Sequence, residues 1–543
     1  MWAAAVLIGV AAFAFRLLSQ RGLSNDHYMH MAWAQQVLLG DLPGRDFVDP
    51  GMPLAYGLSA VAQWLMPGPF SEVILSSAML GLAASATCLV VWRLTGSILW
   101  GTGAALLEIA FRPRFYSFPK ILVPAATLLV LLWYFKAPSR RRMAALAVWT
   151  VAAGLLRHDL GLYSASAVAV GLAVFHGRDL RGGIRTLGTY AAMLLVAALP
   201  YLAFVQTTEG IVEHARNGLE FSKAEAHQFL LELPPFPSET VTSSPREWTR
   251  DDASLLLAYL ARGLTLGALL MALVQARTML SVQRAGVAAA IVFLSCFSMI
   301  ILRHSLPARV PDLAAVLAIV GAWTAAELVR VGRAYLAGRR RVPVAVGAAL
   351  LASVTIASGA TLASAWVLGD VGSELKETRV QDGWGKVREL VSARRAAGTT
   401  WPWAFYWPAG ELPDVVEYIA SCTAESDRLL VTWPASEYYY FSRRAFAAGH
   451  SQLLAPRAFT APRDQDLMVA RLERHRVPVV LVNETLREEF VRAFPLLDAH
   501  LRERYTPAGR FTIRGGSEIT IATMKTLRAT RTYGADRWPC GFL

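Results

Sequence analysis

The sequence predicts a polytopic α-helical membrane protein that ends in a smaller α/β domain outside the membrane. Three observations predict this fold class. The chain has 543 residues, of which 55% are hydrophobic and only 17% are charged, whereas soluble domains are about a quarter charged. Long apolar runs recur through residues 1–368. The mostly polar residues 369–543 that follow are numerous enough to form a domain with its own core.

The apolar runs predict about 11 membrane spans, because a spanning helix needs roughly 20 apolar residues. The runs lie at residues 2–18, 70–93, 97–111, 119–135, 142–156, 160–175, 186–206, 253–275, 284–302, 307–329 and 342–368. Residues 53–66 form a shorter apolar stretch bounded by prolines, which predicts an interfacial helix. The first run has no basic segment before it, which favours a membrane anchor over a signal peptide.

Basic residues between the runs predict the orientation. With a cytoplasmic N-terminus, the inside loops hold more Lys and Arg than the short outside loops, as the positive-inside rule requires. An odd number of spans then places residues 369–543 outside, together with a first loop at 19–69 and a polar loop at 207–252. The formal charge of +13 is explained by these short loops, so we expect no nucleic-acid partner.

Within residues 369–543, alternating helix and strand patterns predict a small α/β layer. Residues 427–433 and 478–482 predict short buried strands, and residues 414–422 and 466–476 predict helices. The aromatic cluster at 401–407 is typical of a membrane interface, where Trp and Tyr are enriched.

The four cysteines form no metal-binding array. Cys88 and Cys296 lie inside apolar runs and are expected to be packing residues. Cys422 and Cys540 can pair if their region is outside the cytoplasm, although their spacing does not demand a disulfide.

Carboxylates gather in residues 24–53, directly after the first apolar run. Asp26 precedes a helix-like segment, and Asp49 lies in a Gly/Pro-rich loop with Asp46. Carboxylates at a membrane surface are costly to desolvate, so they usually serve a ligand or chemistry, which indicates a membrane enzyme. The alternatives are that Asp26 caps a helix starting at Tyr28, and that Asp46 and Asp49 only form turns.

Cationic residues at three predicted outside turns are exceptions to the charge rule. They are Arg112, Arg114, Lys120, Arg157, His158, Arg303, His304 and Arg309. Arg binds phosphate bidentately and Lys binds it as a point charge, so their convergence predicts a site for an anionic headgroup. The alternative is that these side chains contact ordinary lipid phosphates. Asp159, which follows His158, is either part of the site or neutralises Arg157.

The acidic residues and proline-bearing loop of residues 24–53 resemble the GT-C glycosyltransferases. The most similar branch is glycosyltransferase family 39 and its relatives, which include the protein O-mannosyltransferases and the bacterial lipid A aminoarabinose transferase. The resemblance covers nearly the whole chain in layout and only residues 24–53 in motif. It implies that Asp26 matches the catalytic carboxylate of the first loop and Asp49 the acid before the proline segment. Asp159 is a weaker match to a further catalytic acid.

The chain departs from that family at two points. Many relatives have two adjacent acids in the first loop, whereas Asp26 is followed by His27, so a second acid must come from elsewhere. Relatives often have Lys-Pro-Pro after the second acid, and this chain lacks the Lys. The candidates for donor phosphate binding are therefore the following residues: Lys120, Arg157, His158 and Arg303.

The resemblance implies a polyprenyl-phosphate-linked sugar as donor, at the outer face of a bacterial plasma membrane and in contact with its lipids. Asp26 would deprotonate an acceptor hydroxyl of a glycan, lipid or protein, and the transfer would invert the sugar's configuration. No cofactor is required, and Asp26 and Asp49 remain possible ligands of a divalent cation.

Two alternative functions stay open at the level of sequence. One is a transporter or flippase for a lipid-linked sugar, although the chain shows no repeat halves and few charges within the spans. The other is a glycan-binding scaffold without activity, because the first loop lacks paired acids.

Overall fold

The computed structural model describes residues 1–19, 23, 25–112, 118–177, 179–226, 233–245, 247–303, 306–337, 344–370, 372, 385, 388, 392, 412–453, 458–513 and 516–542. The predictions for residues 401–407, for Arg114 and for His304 lie outside the described residues, as does the side chain of Arg303.

The first 369 residues are helical wherever regular structure is described. The α-helices are α1 Trp2–Ser19, α2 Asn25–Leu38, α3 Pro53–Leu65, α4 Pro69–Thr95, α5 Ile98–Ala110, α6 Phe118–Lys136, α7 Arg140–Leu156, α8 His158–Phe175, α9 Leu180–Thr208, α10 Ile211–Ala226, α11 Ser238–Thr242, α12 Arg250–Val274, α13 Ser281–Ile300, α14 Leu306–Arg309, α15 Ala314–Leu336 and α16 Val344–Gly369. Short 3₁₀ helices, Ile301–Arg303 and Val310–Leu313, flank α14.

In the described part of the chain, nine helices are long and apolar enough to cross a membrane. They are α1, α4, α6, α8, α9, α12, α13, α14 continued by α15, and α16. The runs at 97–111 and 142–156 also form helices, α5 and α7, but these have only 13 and 17 residues. The predicted fold class, a polytopic helical membrane protein with a C-terminal α/β region, is confirmed.

The chain divides into two compact units that are each discontinuous in sequence. The first, here called the bundle unit, contains residues 1–20, 76–200 and 228–388. The second, the loop-sheet unit, contains the following residues: 21–75, 201–227 and 389–543. Residues 21–75 therefore belong to the same unit as the C-terminal sheet, while the sequence boundary at residue 368 stays a prediction.

Small residues let helices pack closely in the bundle unit. Helices α6, α8 and α13 contact one another. A Cβ at Gly171 of α8 would lie 2.9 Å from the Leu131 side chain, and one at Gly286 of α13 would lie 2.7 Å from Leu132. Close backbone approach at small residues is typical of helix packing in membranes.

The C-terminal part of the loop-sheet unit alternates helices and strands. Its elements are α17 Leu412–Cys422, β1 Arg428–Val431, α18 Ser436–Ser442, β2 Ala445–Phe446, α19 Pro462–Arg474, β3 Val479–Asn483, α20 Arg487–Ala493, α21 Pro495–Arg504, β4 Tyr505–Thr512, β5 Glu518–Met524, β6 Ala529–Tyr533 and β7 Trp538–Phe542. The two predicted strands are β1 and β3, and the two predicted helices are α17 and α19.

Five of these strands form a mixed sheet in the order β2-β1-β3-β5-β4, and β6 pairs with β7. Strand β1 is parallel to β2 and β3, whereas β5 is antiparallel to β3 and β4. Every residue of β3 is buried, as expected for a central strand that is covered on both faces. A disulfide between Cys422 and Cys540 joins α17 to β7, so these two cysteines pair as one of the sequence alternatives allowed.

The segment from α2 to α3 packs into the core of the loop-sheet unit. Phe47 is fully buried and its ring contacts that of Phe446 in β2. The Val48 amide donates a hydrogen bond to the Gly449 carbonyl at 2.9 Å. The Phe446 amide donates to the side chain of Gln36 in α2, also at 2.9 Å. These contacts fix the backbone just before Asp49.

Candidate active site

Asp26 lies inside the first turn of α2, since the helix begins at Asn25 and not at the predicted Tyr28. A carboxylate in the first turn is stabilised by the partial positive charge of a helix N-terminus. Asp26 is partly exposed, and within the described residues its carboxylate has no hydrogen-bond or ion-pair partner. It is therefore accessible to a substrate hydroxyl.

A second acid lies behind Asp26 in the same unit. Glu72 is buried in α4, and its Oε1 lies 3.7 Å from Nδ1 of the fully buried His27. The Ser59 hydroxyl donates to the other oxygen of Glu72 at 2.6 Å. The sequence left the position of a second acid open, and this carboxylate next to His27 is a candidate for it.

Asp41 and Asp46, the other acids of the first loop, are both paired with arginine. Arg428 of β1 donates two hydrogen bonds to the Asp41 carboxylate, at 2.7 and 2.8 Å. Asp46 accepts hydrogen bonds from Arg45 and from the Leu42 amide. Burial raises the pKa of Asp46, but these hydrogen bonds outweigh burial, so its pKa is lowered. Both side chains hold the loop in shape, which agrees with the turn-forming alternative for Asp46.

Asp49 has a different environment from these two acids. Its Oδ1 accepts a hydrogen bond from the Gly51 amide at 2.8 Å, the geometry of a turn. Its Oδ2 accepts one from the hydroxyl of Tyr201 at 3.2 Å. Burial, and then the charge of Asp49, raise the pKa of Tyr56 in α3. Turn formation therefore accounts for only one of the two Asp49 oxygens.

The contact between Asp49 and Tyr201 continues into two further side chains. Nε2 of His214 lies 3.4 Å from the Tyr201 hydroxyl, and Nδ1 of His214 lies 2.9 Å from Oε2 of Glu209. Asn217 donates to the other oxygen of Glu209 at 2.6 Å. The hydrogen bond to Glu209 raises the pKa of His214, burial opposes this, and the charges of Asp49 and Glu209 add to the increase.

In the bundle unit, Lys120 and Asp312 form a buried ion pair. Nζ of Lys120 lies 2.5 Å from Oδ2 of Asp312, and the side chains are 3% and 2% exposed. Lys120 is in the first turn of α6, and Asp312 precedes α15. Removing two charges from water is expensive, so such a pair persists only with good geometry and further polar partners.

Arg157 and Arg309 add two more cations to this pair. Arg157, the residue before α8, donates from Nε to Oδ1 of Asp159 at 2.7 Å. Arg309 lies 3.9 Å from Asp312. The charges of both arginines act on Lys120. Among these residues three cations face two carboxylates, and the cluster therefore has an excess of positive charge that suits an anion.

The predicted site residues thus fall into two groups. Asp26 and Asp49 belong to the loop-sheet unit, and Lys120, Arg157 and Asp159 belong to the cation cluster of the bundle unit. The pairing of Asp159 with Arg157 agrees with the neutralising alternative. His158 is exposed, and the role of Arg303 stays a prediction.

Sequence reasoning missed several polar residues of these two groups. They are Glu72, Tyr201, Glu209, His214 and Asp312. Tyr201 and Glu72 lie in or beside apolar runs, where a single polar residue is common. Asp312 had a usable signal, since it is an acid three residues after a predicted outside arginine. Glu209 and His214 lie in a polar loop without a motif.

The described residues include no group of three or more His, Cys, Asp or Glu side chains placed to hold a metal ion. The possible divalent cation stays an untested prediction.

Comparisons with known proteins find similarity only at the level of structure. No protein-family model matches the chain, and no curated protein matches its sequence. ArnT from Cupriavidus metallidurans bound to undecaprenyl phosphate is similar over 96% of this chain and 98% of its own, with a TM-score of 0.49 and 13% identity. In the apo state ArnT matches over 95% and 97%, with a TM-score of 0.47 and 13% identity.

An archaeal protein shows a similar degree of likeness. The oligosaccharyltransferase AglB from Archaeoglobus fulgidus, in complex with an inhibitory peptide and a dolichol-phosphate, is similar over 96% of this chain and 74% of its own. The TM-score is 0.49 and the identity 13%. These similarities span almost the entire chain. At this identity they do not assign an activity.

Proposed function

We propose that the chain is an integral membrane glycosyltransferase that moves a sugar from a polyprenyl-phosphate donor to an acceptor hydroxyl on the outer face of the membrane. The observation that carries this proposal is the cation cluster, in which Lys120, Arg157 and Arg309 outnumber the two carboxylates beside them. Lys120 is buried and the two arginines are partly buried, and an excess of such positive charge in a membrane-spanning bundle suits a lipid-linked anion. A polyprenyl phosphate is also what ArnT and AglB hold.

The guanidinium of Arg157 has five N–H groups, of which Asp159 takes one from Nε and one from Nη2. Lys120 and Arg309 add their positive charges to the same cluster. Negative charge grows on the phosphate as its bond to the sugar breaks. Fixed cations that meet this charge lower the barrier.

The carboxylates of the loop-sheet unit would act on the acceptor. In the proposal Asp26 removes the proton of the acceptor hydroxyl, and the resulting oxygen attacks the anomeric carbon. The bond between that carbon and the phosphate oxygen breaks, the lipid phosphate leaves with the electron pair, and the configuration at the sugar is inverted. Asp49 would accept a hydrogen bond from a hydroxyl of the sugar or the acceptor and so orient it.

Two other functions remain as alternatives to the transferase. A flippase would bind the lipid-linked sugar and move it without breaking the glycosidic bond. An inactive scaffold would bind glycan and show no turnover. The partly exposed Asp26, which has no partner among the described residues, favours a reactive role over both.

The test is sugar transfer from a panel of polyprenyl-phosphate sugars by the purified protein in lipid nanodiscs. We expect transfer or slow donor hydrolysis by the wild type, and a loss of about 10²–10⁴-fold in Asp26→Asn, the usual contribution of a general base. Asp251→Asn is the matched control, because Asp251 is also an acid in the first turn of a helix, α12. Full activity of Asp26→Asn would show that Asp26 is not the general base.

Donor binding tests the other half of the proposal. Arg157→Gln should weaken the affinity for a polyprenyl phosphate, measured with a fluorescent analogue, while Arg181→Gln at the exposed start of α9 should not. If both variants bind the analogue with equal affinity, Arg157 does not bind the donor and contacts only ordinary lipid phosphates. A parallel reaction with EDTA tests the divalent cation. Donor binding without turnover by any donor and acceptor tested would favour the flippase or the scaffold.

A further inference from the structure

A line of hydrogen-bonding side chains leads from Glu209 to Asp49 within the loop-sheet unit. Glu209 follows the end of α9, His214 lies in the first turn of α10, and Tyr201 lies in α9. The successive separations are 2.9 Å from Glu209 to His214, 3.4 Å from His214 to Tyr201, and 3.2 Å from Tyr201 to Asp49.

The number of available hydrogens constrains how this line can be connected. A carboxylate only accepts hydrogen bonds, so Nδ1 of His214 must carry the hydrogen shared with Glu209. Tyr201 has a single hydroxyl hydrogen, which points to the Asp49 carboxylate. Nε2 of His214 therefore faces a lone pair of the Tyr201 oxygen. That contact is attractive only if Nε2 also carries a hydrogen, which makes His214 an imidazolium.

A neutral His214 would change the connection. With Nδ1 still bonded to Glu209, Nε2 would hold a lone pair and would attract the Tyr201 hydrogen. The hydroxyl would then turn from Asp49 to His214, and Oδ2 of Asp49 would lose that donor. A single proton on His214 thus decides which way the Tyr201 hydroxyl points.

We propose that Glu209, His214 and Tyr201 are positioning residues for Asp49. The protonated His214 keeps the Tyr201 hydroxyl on the Asp49 carboxylate, and Glu209 keeps His214 protonated and oriented. The consequence for turnover rests on the proposed function, which gives Asp49 a role in orienting the substrate. The hydrogen-bonded line itself does not depend on that function.

Charged groups on every neighbouring element act on this line. Asp49 and Tyr56 contribute from the first loop and α3, and Arg471 of α19 acts on Glu209. On α10 itself, Glu213 is engaged by two arginines, Arg216 and Arg463. Among these carboxylates, Glu209 and Asp49 raise the pKa of His214, so both favour the imidazolium.

The expected pH dependence has a definite sign. The pKa of His214 is raised in the folded protein, primarily by the hydrogen bond to Glu209. The imidazolium is therefore complete at acidic pH and is lost as the pH rises through the folded pKa. Turnover should fall on the alkaline side of that value, with the change appearing in kcat and not in donor affinity.

The first test does not depend on enzymatic activity. Histidine side chains labelled with ¹⁵N are titrated by NMR in the detergent-solubilised wild type, with His214 assigned by the His214→Gln variant. We expect His214 to titrate above the ordinary histidine value and to shift downward in both Glu209→Gln and Asp49→Asn. His500 is the internal control, because burial lowers its pKa. A His214 that titrates at or below the ordinary value, or that does not respond to Asp49→Asn, would overturn the proposal.

The second test uses the Tyr201→Phe variant in the transfer assay. Loss of a hydrogen bond to a charged group should lower kcat by about tenfold to a hundredfold. Because Phe has no hydroxyl that can turn from Asp49 to His214, the alkaline decrease of kcat should disappear. An unchanged alkaline decrease in Tyr201→Phe would show that the Tyr201 hydroxyl does not connect His214 to Asp49. If no donor is turned over, the proposed function fails, and the NMR titration still decides whether Glu209 and Asp49 keep His214 protonated.

Discussion

Replacing Asp41 by Asn should destabilise the loop-sheet unit far more than replacing Asp46 by Asn in the same loop. Arg428 meets Asp41 with both terminal nitrogens and also donates to the Phe446 carbonyl at 3.0 Å. The Asp41 and Arg428 side chains are only 10% and 12% exposed. Arg45, the partner of Asp46, is 55% exposed, so water screens that pair.

These differences in burial determine the size of the effect. Removing one partner of a buried ion pair leaves the other charge without compensation and costs about 3–5 kcal/mol. The Asn side chain keeps one acceptor oxygen for Arg428, so we expect a value near 3 kcal/mol for Asp41→Asn. At about 2–4 °C per kcal/mol, the unfolding midpoint of the unit should fall by roughly 6–12 °C.

The assay is thermal unfolding in detergent, followed by tryptophan fluorescence, with a double-mutant cycle of Asp41→Asn and Arg428→Met. The coupling between the two changes should be of the order of the single effects, because both variants break the same pair. Asp46→Asn should leave the midpoint close to that of the wild type. Additive effects of Asp41→Asn and Arg428→Met, or an equal shift in Asp46→Asn, would show that burial does not make the Asp41–Arg428 pair the stronger one.

Three further predictions follow from other contacts. Lys120→Met removes the nearer cation from the buried Asp312 carboxylate and leaves it with Arg309 at 3.9 Å, so it should destabilise the bundle unit by about 3 kcal/mol. Adding Asp312→Leu should recover most of this in thermal unfolding, and an unrecovered midpoint would argue against the pair. Cys422→Ser should cost about 2–5 kcal/mol because it removes the link to Cys540, and an identical midpoint for wild type and variant would contradict a formed disulfide. Glu72→Gln removes the buried charge behind the first loop and should lower turnover about tenfold at unchanged donor affinity; full turnover would assign Glu72 to packing alone.

Apolar run length predicted the nine long membrane helices, because the bilayer fixes how many apolar residues a span needs. It also predicted two further spans, at 97–111 and 142–156, whose helices have only 13 and 17 residues. The short buried strands β1 and β3 were also predictable, since each is a compact apolar run between turn-forming residues. The antiparallel strands β4 to β7 were not predicted. Strand β4 is largely exposed and contains Pro507 with a bulge, so neither apolar content nor strict alternation marks it.

The candidate site was less predictable than the fold, because its contacts join residues far apart in sequence. Asp49 was found from its place before a proline-bearing segment, but the sequence cannot show that Tyr201 would donate to it. The same holds for the pairing of Lys120 with Asp312, which are separated by 192 positions. Local patterns also placed the start of α2 too late, so the position of Asp26 inside its first turn was missed.

If Asp26 is the base of a sugar transfer from a polyprenyl-phosphate donor, the transfer rate should depend on its carboxylate and donor binding should not. The most direct measurement compares wild type and Asp26→Asn for both donor affinity and single-turnover transfer in the same nanodisc preparation. We expect equal donor affinity and a rate lower by about 10²–10⁴-fold in the variant. Equal rates, or a parallel loss of donor affinity that explains the lower rate, would contradict this expectation.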